Sequence, residues 1–307
     1  MDTILIVGVE SVAGANIAAT QPRSASVIGV TENSNIQIEG CRIIRGTGSI
    51  QQHLQAVSPD RIIFCGASAR SSWDAAESTQ HAIDDSLAID WATAASESGI
   101  AFTMISSDAV FTGPWMSHAE DDAHFCETPQ AERLRQIESE VASVHADALI
   151  VRCNVFGWSP SVDTPGFSES MLTALESGDR SEIGFLCHAA PILATDFASM
   201  LIQAHAAGAT GLLHIGAGER INPFQFAERL ADLAGLEPPQ FPTTTTLKRT
   251  VAGFGRGETT LNSKRACTLL SSCMPLVDEG ISRFLEQAES GFLAILRHEV
   301  GELSRVA

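Results

Sequence analysis

ILIVGVESVAGANIAAT, residues 4–20, runs from four apolar residues through a glycine turn into a helix-forming stretch. Strand, tight turn and helix in that order open an α/β nucleotide-binding unit, and the turn decides the reading. Gly8, Ser11 and Gly14 stand in a G-x-x-S-x-x-G frame. The first glycine permits the sharp turn, the middle position faces an approaching pyrophosphate, and the last lets helix pack on strand. Ser11 adds a Cβ that narrows this approach, and its hydroxyl is able to bond a phosphate in compensation. A tight βα turn with no ligand is the competing reading.

Outward from this unit, apolar runs alternate with helical patterns. SVIGV (26–30), CRIIRG (41–46), DRIIFCGAS (60–68), IAFTMISS (100–107) and ALIVRCNVFGW (148–158) read as strands. SIQQHLQAV (49–57), HAIDDSLAIDWATAASES (81–98) and PQAERLRQIESEVASV (129–144) read as helices between them. This alternation predicts a parallel sheet with helices on both faces. Beyond residue 159 the pattern loosens. ESMLTALESG (169–178) reads as a helix, PILATDFASMLIQAHAAG (191–208) as a strand-to-helix unit and GLLHIGAG (211–218) as a strand. NPFQFAERLADLAGL (222–236) reads as a helix with Asn222 as N-cap and Pro223 at the first position. PPQFPTTTT (238–246) reads as extended, and GISRFLEQAESGFLAILRHEV (280–300) as a terminal helix. The expected organisation is a Rossmann-type doubly wound parallel sheet over residues 1–158. A smaller C-terminal α/β substrate lobe follows over 159–307, with chain exchange between the two.

Composition narrows the function. The net charge of −18 disfavours nucleic-acid binding, which needs many phosphates neutralised. No apolar run approaches a membrane span, and the chain enters ILIVG with no charged leader, so a soluble cytoplasmic protein is expected. The seven cysteines are scattered singly, with no C-x-x-C pair, and are expected to be reduced. Tyrosine is absent, and the lysines are Lys248 and Lys264 alone.

MISSDAVFTG, residues 104–113, places two hydroxyls and a carboxylate where the fifth strand ends, and such strand ends carry chemistry in open parallel sheets. The glycine frame, ISSDAVFTG, VRCNVFGW (151–158), APILATDFA (190–198), GLLHIGAGERINPFQFA (211–227) and RGETTLNSKRA (256–266) follow in order along nearly the whole chain. Together they resemble the extended short-chain dehydrogenase/reductases, and among these the dTDP-4-dehydrorhamnose reductases and their sugar-nucleotide-binding relatives. The resemblance implies a Rossmann fold, a nicotinamide dinucleotide and a nucleotide-sugar substrate. It also implies hydride transfer assisted by a Tyr-x-x-x-Lys pair, with a strand-five serine or threonine orienting the carbonyl.

Ser107 fits the last role by position. The pair itself is missing: its tyrosine slot falls in Gln130 to Arg133 and its lysine slot in Leu134 to Ile137. Glu132 is a substitute general acid if burial raises its pKa; otherwise ERLR is the wet face of a surface helix. Asp108 and Ala109 stand where the family has aspartate and tyrosine. Glu32, after the second strand, would bond a ribose 2′-hydroxyl and repel a 2′-phosphate, favouring NAD over NADP. Asp108 is expected along the substrate, Arg256 on its phosphates because its segment borders the nucleotide in relatives, and Asn154 and Trp158 near its sugar because they lie at and just beyond the end of the sixth strand. HAEDDAHFCE (118–127) gathers metal-ligand types without zinc spacing and reads as an acidic loop. His205 and His214 read as core, and His188 as packed or solvated.

The function expected is a nucleotide- or sugar-nucleotide-binding protein without standard hydride transfer. It would act as a binding or regulatory subunit, as the regulatory subunit of methionine adenosyltransferase does in this superfamily, with a protein partner or as a homodimer. An oxidoreductase, lyase or epimerase with substituted acid–base groups is the alternative, and a structural partner with an empty cleft is another.

Overall fold

The apolar runs that the sequence offers as central strands are buried on both sides, as crossover helices require of a parallel sheet, while the edge run 41–45 stays partly exposed. The structure, a computed structural model, describes residues 2–32, 35–77, 86–178, 183, 187–239 and 253–298. The main-sheet strands are β1 (Thr3–Val7), β2 (Ser26–Thr31), β3 (Cys41–Arg45), β4 (Arg61–Phe64), β5 (Ala101–Ser107) and β6 (Leu149–Cys153). Two short strands, β7 (Val155–Phe156) and β8 (Ile192–Leu193), pair with each other, and β9 (Gly211–Ile215) returns to the main sheet. The seven-stranded sheet has the order β3-β2-β1-β4-β5-β6-β9, with all pairings parallel. The order reverses between β1 and β4, which opens a crevice at their carboxyl ends.

The helices are α1 (Val12–Thr20), α2 (Ile50–Val57), α3 (Ser72–Glu77), α4 (Ser86–Ser98), α5 (Pro129–Val144) and α6 (Phe167–Ser177). They continue with α7 (Ala194–Ala206), α8 (Pro223–Ala234), α9 (Lys264–Leu270), α10 (Val277–Glu289) and α11 (Phe292–Leu296). Side chains alternate along each strand, so the sheet divides the interior into two cores. Leu5, Ile62 and Met104 pack with Trp91 of α4 and Leu134 of α5 on one face. Ile6, Ile63 and Ile105 pack with Ile17 of α1 and Phe197 of α7 on the other. No helix among the described residues is long and apolar enough to cross a membrane.

Two expectations change. The run 148–158 is not one strand: it breaks at Asn154, whose side chain turns inward while its carbonyl accepts from the Ile192 N–H. The terminal helix is two helices, parted at Gly291 with φ +82°. Residues 81–85 of the third expected helix and 240–246 of the threonine-rich stretch lie outside the described residues. The Asn222 cap holds as expected, its side chain accepting from the Gln225 N–H at 2.9 Å with Pro223 at the first position.

Gly8 and Gly291 share φ +82°, but a Cβ on Gly8 would run into the Cys65 carbonyl of β4's end, whereas one on Gly291 meets nothing within 4 Å. Gly291→Ala is expected to cost about 1–2 kcal/mol, the left-handed penalty alone, and Gly8→Ala distinctly more. Urea denaturation of both variants checks this; equal losses would show that the β1–α1 turn yields.

Candidate active site

The turn after β1 is built by its own side chain. Ser11 Oγ donates to the Gly8 carbonyl at 2.9 Å and accepts from the Gly14 N–H at 3.0 Å. The Ser11 N–H also reaches the Gly8 carbonyl. Ser11 is thus the N-cap of α1, and its hydroxyl is spent on the turn rather than turned outward. Of the N–H groups that the first turn of a helix leaves over, those of Val12 and Ala13 remain for a ligand, at the positive end of the helix. This arrangement fits a pyrophosphate. Glu32 lies exposed one residue past β2, its stem beside Gly46.

At the end of β5 the chemistry turns inward. Asp108 is fully buried at the start of a 3₁₀ turn, Asp108–Val110. It accepts from the Ser72 N–H at 2.8 Å, Ser72 Oγ at 2.7 Å, Asn154 Nδ2 at 2.9 Å and Thr259 Oγ1 at 2.6 Å. Asn154 Nδ2 also donates to Ser72 Oγ, while Asn154 Oδ1 is buried without a partner among the described residues. Ser107 has no exposed surface, and its Oγ accepts from the Ala109 N–H at 3.1 Å.

A second polar layer lies behind, at β6 and α5. Arg152 donates to Glu138 from Nε at 3.0 Å and Nη2 at 2.6 Å, and Ser106 Oγ donates to the same carboxylate at 2.6 Å. Both charged side chains are buried, and the Arg152 guanidinium sits 5.0 Å from the centre of the Phe111 ring. Phe111 stacks on His118 at 4.2 Å, and a T-shaped contact brings His214 to its edge. Burial and the Arg152 charge push the His214 imidazole down to about 3, so it is neutral at physiological pH.

The structure brings Asp108 together with Ser107 and Asn154. Trp158 stacks on Phe284 at 4.4 Å and donates to its carbonyl at 2.9 Å, leaving the ring 7% exposed. Glu132 is exposed on the first turn of α5, beside exposed Gln130 and buried Leu134. Arg256 is exposed on a tight turn, its carbonyl accepting from Thr112 Oγ1 and its N–H donating to the Gly253 carbonyl. Arg265 turns away, to the Leu212 and Thr210 carbonyls. His188 lends its carbonyl to the Thr259 N–H, and His205 bonds Thr103 Oγ1 at 2.9 Å. The acidic loop fastens chain to chain: Glu120 accepts from the His214 N–H and Asp122 from the Ala119 N–H. No group of three or more ligating side chains among the described residues could hold a metal ion. Ser72, Glu138 and Arg152 were not expected; the signal for Arg152 was a lone charge inside the apolar run ALIVRC.

Burial raises the Asp108 carboxyl above its ordinary 3.8, against hydrogen bonds from Thr259, Asn154 and Ser72 that lower it. A carboxyl held higher in the folded chain than in the unfolded one favours folding while protonated. That contribution is complete below the unfolded pKa and is lost as pH rises through the folded one. Asp108→Asn does not ionise. Its stability deficit against the native chain is therefore expected to be largest at and below about pH 4 and to shrink as pH rises. Urea denaturation across this range checks the sign, and a deficit that grows with pH would reverse it.

Comparison with known proteins now gives the family. The family model of the RmlD substrate binding domain matches residues 1–288. No curated protein sequence matches the chain. Among solved structures, the dTDP-4-dehydrorhamnose reductase of Bacillus anthracis, in complex with NADP, superposes with a TM-score of 0.75 at 18% identity, over 93% of this chain and 98% of that one. Bordetella bronchiseptica WbmH, in complex with NAD+, gives 0.73 at 15% identity over 95% and 100%. The UDP-N-acetylglucosamine 4-epimerase of Methanobrevibacter ruminantium, in complex with UDP-N-acetylmuramic acid, gives 0.74 at 15% over 94% and 98%. At these identities the structures speak for the fold, and the family model, matched over nearly the whole length, shows that the chain belongs to the RmlD substrate binding domain family.

Proposed function

We propose that this chain binds a nucleotide or sugar nucleotide beyond the carboxyl ends of its parallel strands and does not transfer hydride by the tyrosine–lysine route. One contrast carries the reading. The Gly8–Gly14 turn keeps the shape of a phosphate cradle, with the Val12 and Ala13 N–H groups at the positive end of α1. At the same end of the sheet, the first turns of α5 offer Gln130, Glu132, Arg133 and Arg135 in place of the tyrosine and lysine. An arginine can hold a ribose but does not titrate at working pH. Ser107, with its hydroxyl inside the strand-end turn, is not poised to orient a carbonyl.

The neighbouring structures hold NADP, NAD+ and a UDP-sugar, which supports these ligand classes here. A bound nicotinamide supplies the hydride donor or acceptor; the chain's own part is to hold and orient it. Val12 and Ala13 take the pyrophosphate, and Glu32 accepts from a ribose 2′-hydroxyl, which favours NAD over NADP. Arg256 meets the phosphates of the nucleotide sugar with a planar fork.

Three outcomes follow. Reduction of dTDP-4-dehydro sugars with either nicotinamide is expected to fall about 10²–10⁴-fold below an ordinary reductase, the worth of general acid catalysis; turnover within about tenfold of one would overturn the reading. Calorimetry is expected to give tighter binding of NAD than of NADP, and the opposite order would remove Glu32 from the ribose. In titrations with dTDP-glucose and UDP-glucose, Arg256→Ala is expected to lose about 1.5–3 kcal/mol of binding, as for a hydrogen bond to a charged group. Equal binding by the variant would make Arg256 a surface residue.

A further inference from the structure

After β5 the chain folds back on itself and leaves an open groove of about 540 Å³. Thr112, Trp115, His124, Phe125, Glu127 and Gly253 line it. Its size is that of a small-molecule site. The aromatic side chains set it apart from the rest of the surface. Trp115 is 56% exposed, whereas Trp73, Trp91 and Trp158 are 3%, 4% and 7% exposed. The indole of Trp115 lies 4.5 Å from the His124 ring. Phe125 is fixed from behind by Phe111, 5.4 Å away, and by the Arg135 guanidinium at 4.4 Å. A rigid wall thus carries an indole still open to a planar partner, and stacking there recovers area that water now covers.

The charge beside the wall points to the rest of the partner. The aliphatic stem of Arg256 lies along Gly253, its Cδ 3.5 Å from where a Cβ on that glycine would stand. Thr112, also on the lining, holds the Arg256 carbonyl at 3.1 Å. Among the described residues the Arg256 guanidinium makes no ion pair, in a chain of net charge −18. An unspent guanidinium next to an open indole suits a planar ring with an anionic tail. Glu127 repels the tail and accepts an N–H, so the ring's N–H edge belongs toward it and the phosphate toward Arg256.

We infer that this groove is the nucleobase subsite of the ligand proposed above, with the base stacked on Trp115 and His124 and the phosphates at Arg256. The inference rests on the reading that the chain holds a sugar nucleotide. The chain has no tyrosine, and its other tryptophans are buried, so the iodide-quenchable part of its emission reports Trp115. Calorimetry of the native chain, Trp115→Ala and His124→Ala with UDP-glucose and dTDP-glucose is read alongside that emission. UDP-glucose or dTDP-glucose is expected to shield Trp115 from iodide. Trp115→Ala is expected to weaken binding about tenfold or more, as loss of one stacked base does, and His124→Ala by less. Undiminished binding by Trp115→Ala, with no shielding of the native indole, overturns the subsite and leaves the sugar-nucleotide reading standing. If the native chain takes up neither compound, both fall.

Discussion

Asp108 has no exposed surface and no cation bonded to it among the described residues, yet it accepts from Ser72, Asn154 and Thr259. A buried carboxyl without such donors would cost several kcal/mol, so the donors hold it and it in turn holds them. Each donor belongs to a different stretch of chain. Ser72 opens α3, Asn154 ends the sixth main strand, and Thr259 belongs to the late segment that crosses back over the sheet. The carboxyl ends of β4, β5 and β6 thus share one anchor with a segment more than a hundred residues later. The crevice has its shape because these four segments converge on one group.

The ion pair of Glu138 with Arg152 plays a different part. Burying both charges is costly, and geometry repays it only when each oxygen and nitrogen is matched. Glu138 has its matches, with Ser106 as a further donor, while Arg152 Nη1 has no hydrogen-bond partner among the described residues. This pair ties α5 to the sheet by its third turn, while the first turn, with Gln130 and Glu132, stays in solvent. The helix therefore keeps its place whatever its first turn carries. Position is fixed by one set of residues, and the solvent-facing first turn is left free to carry others.

Much of the architecture was legible because it is local. Strands buried on both faces are continuous apolar runs, and the N-cap of α8 announces itself as Asn222 followed by Pro223. The glycine frame was also local, though the turn's use of the Ser11 hydroxyl was not readable from the letters. What stayed hidden was long-range pairing. Asp108 meets Ser72 across 36 positions and Thr259 across 151, and Trp158 meets Phe284 across 126. No periodicity records such meetings. Trp158, expected near a ligand's sugar because it lies just beyond the sixth strand, has its indole N–H bonded to a carbonyl of α10. Arg152 left a trace, a charge in an apolar strand, but its partner lay on a helix whose amphipathic pattern disguised Glu138 as a core-edge residue.

The return of β9 to the main sheet bears on how the chain is made. β6 receives its outer neighbour from residues 211–215, so its hydrogen-bonding edge stays bare until residue 215 of 307 has left the ribosome. A bare apolar edge is a template for pairing with another chain. Leu149–Cys153, buried along its whole length in the finished sheet, is such an edge until β9 arrives.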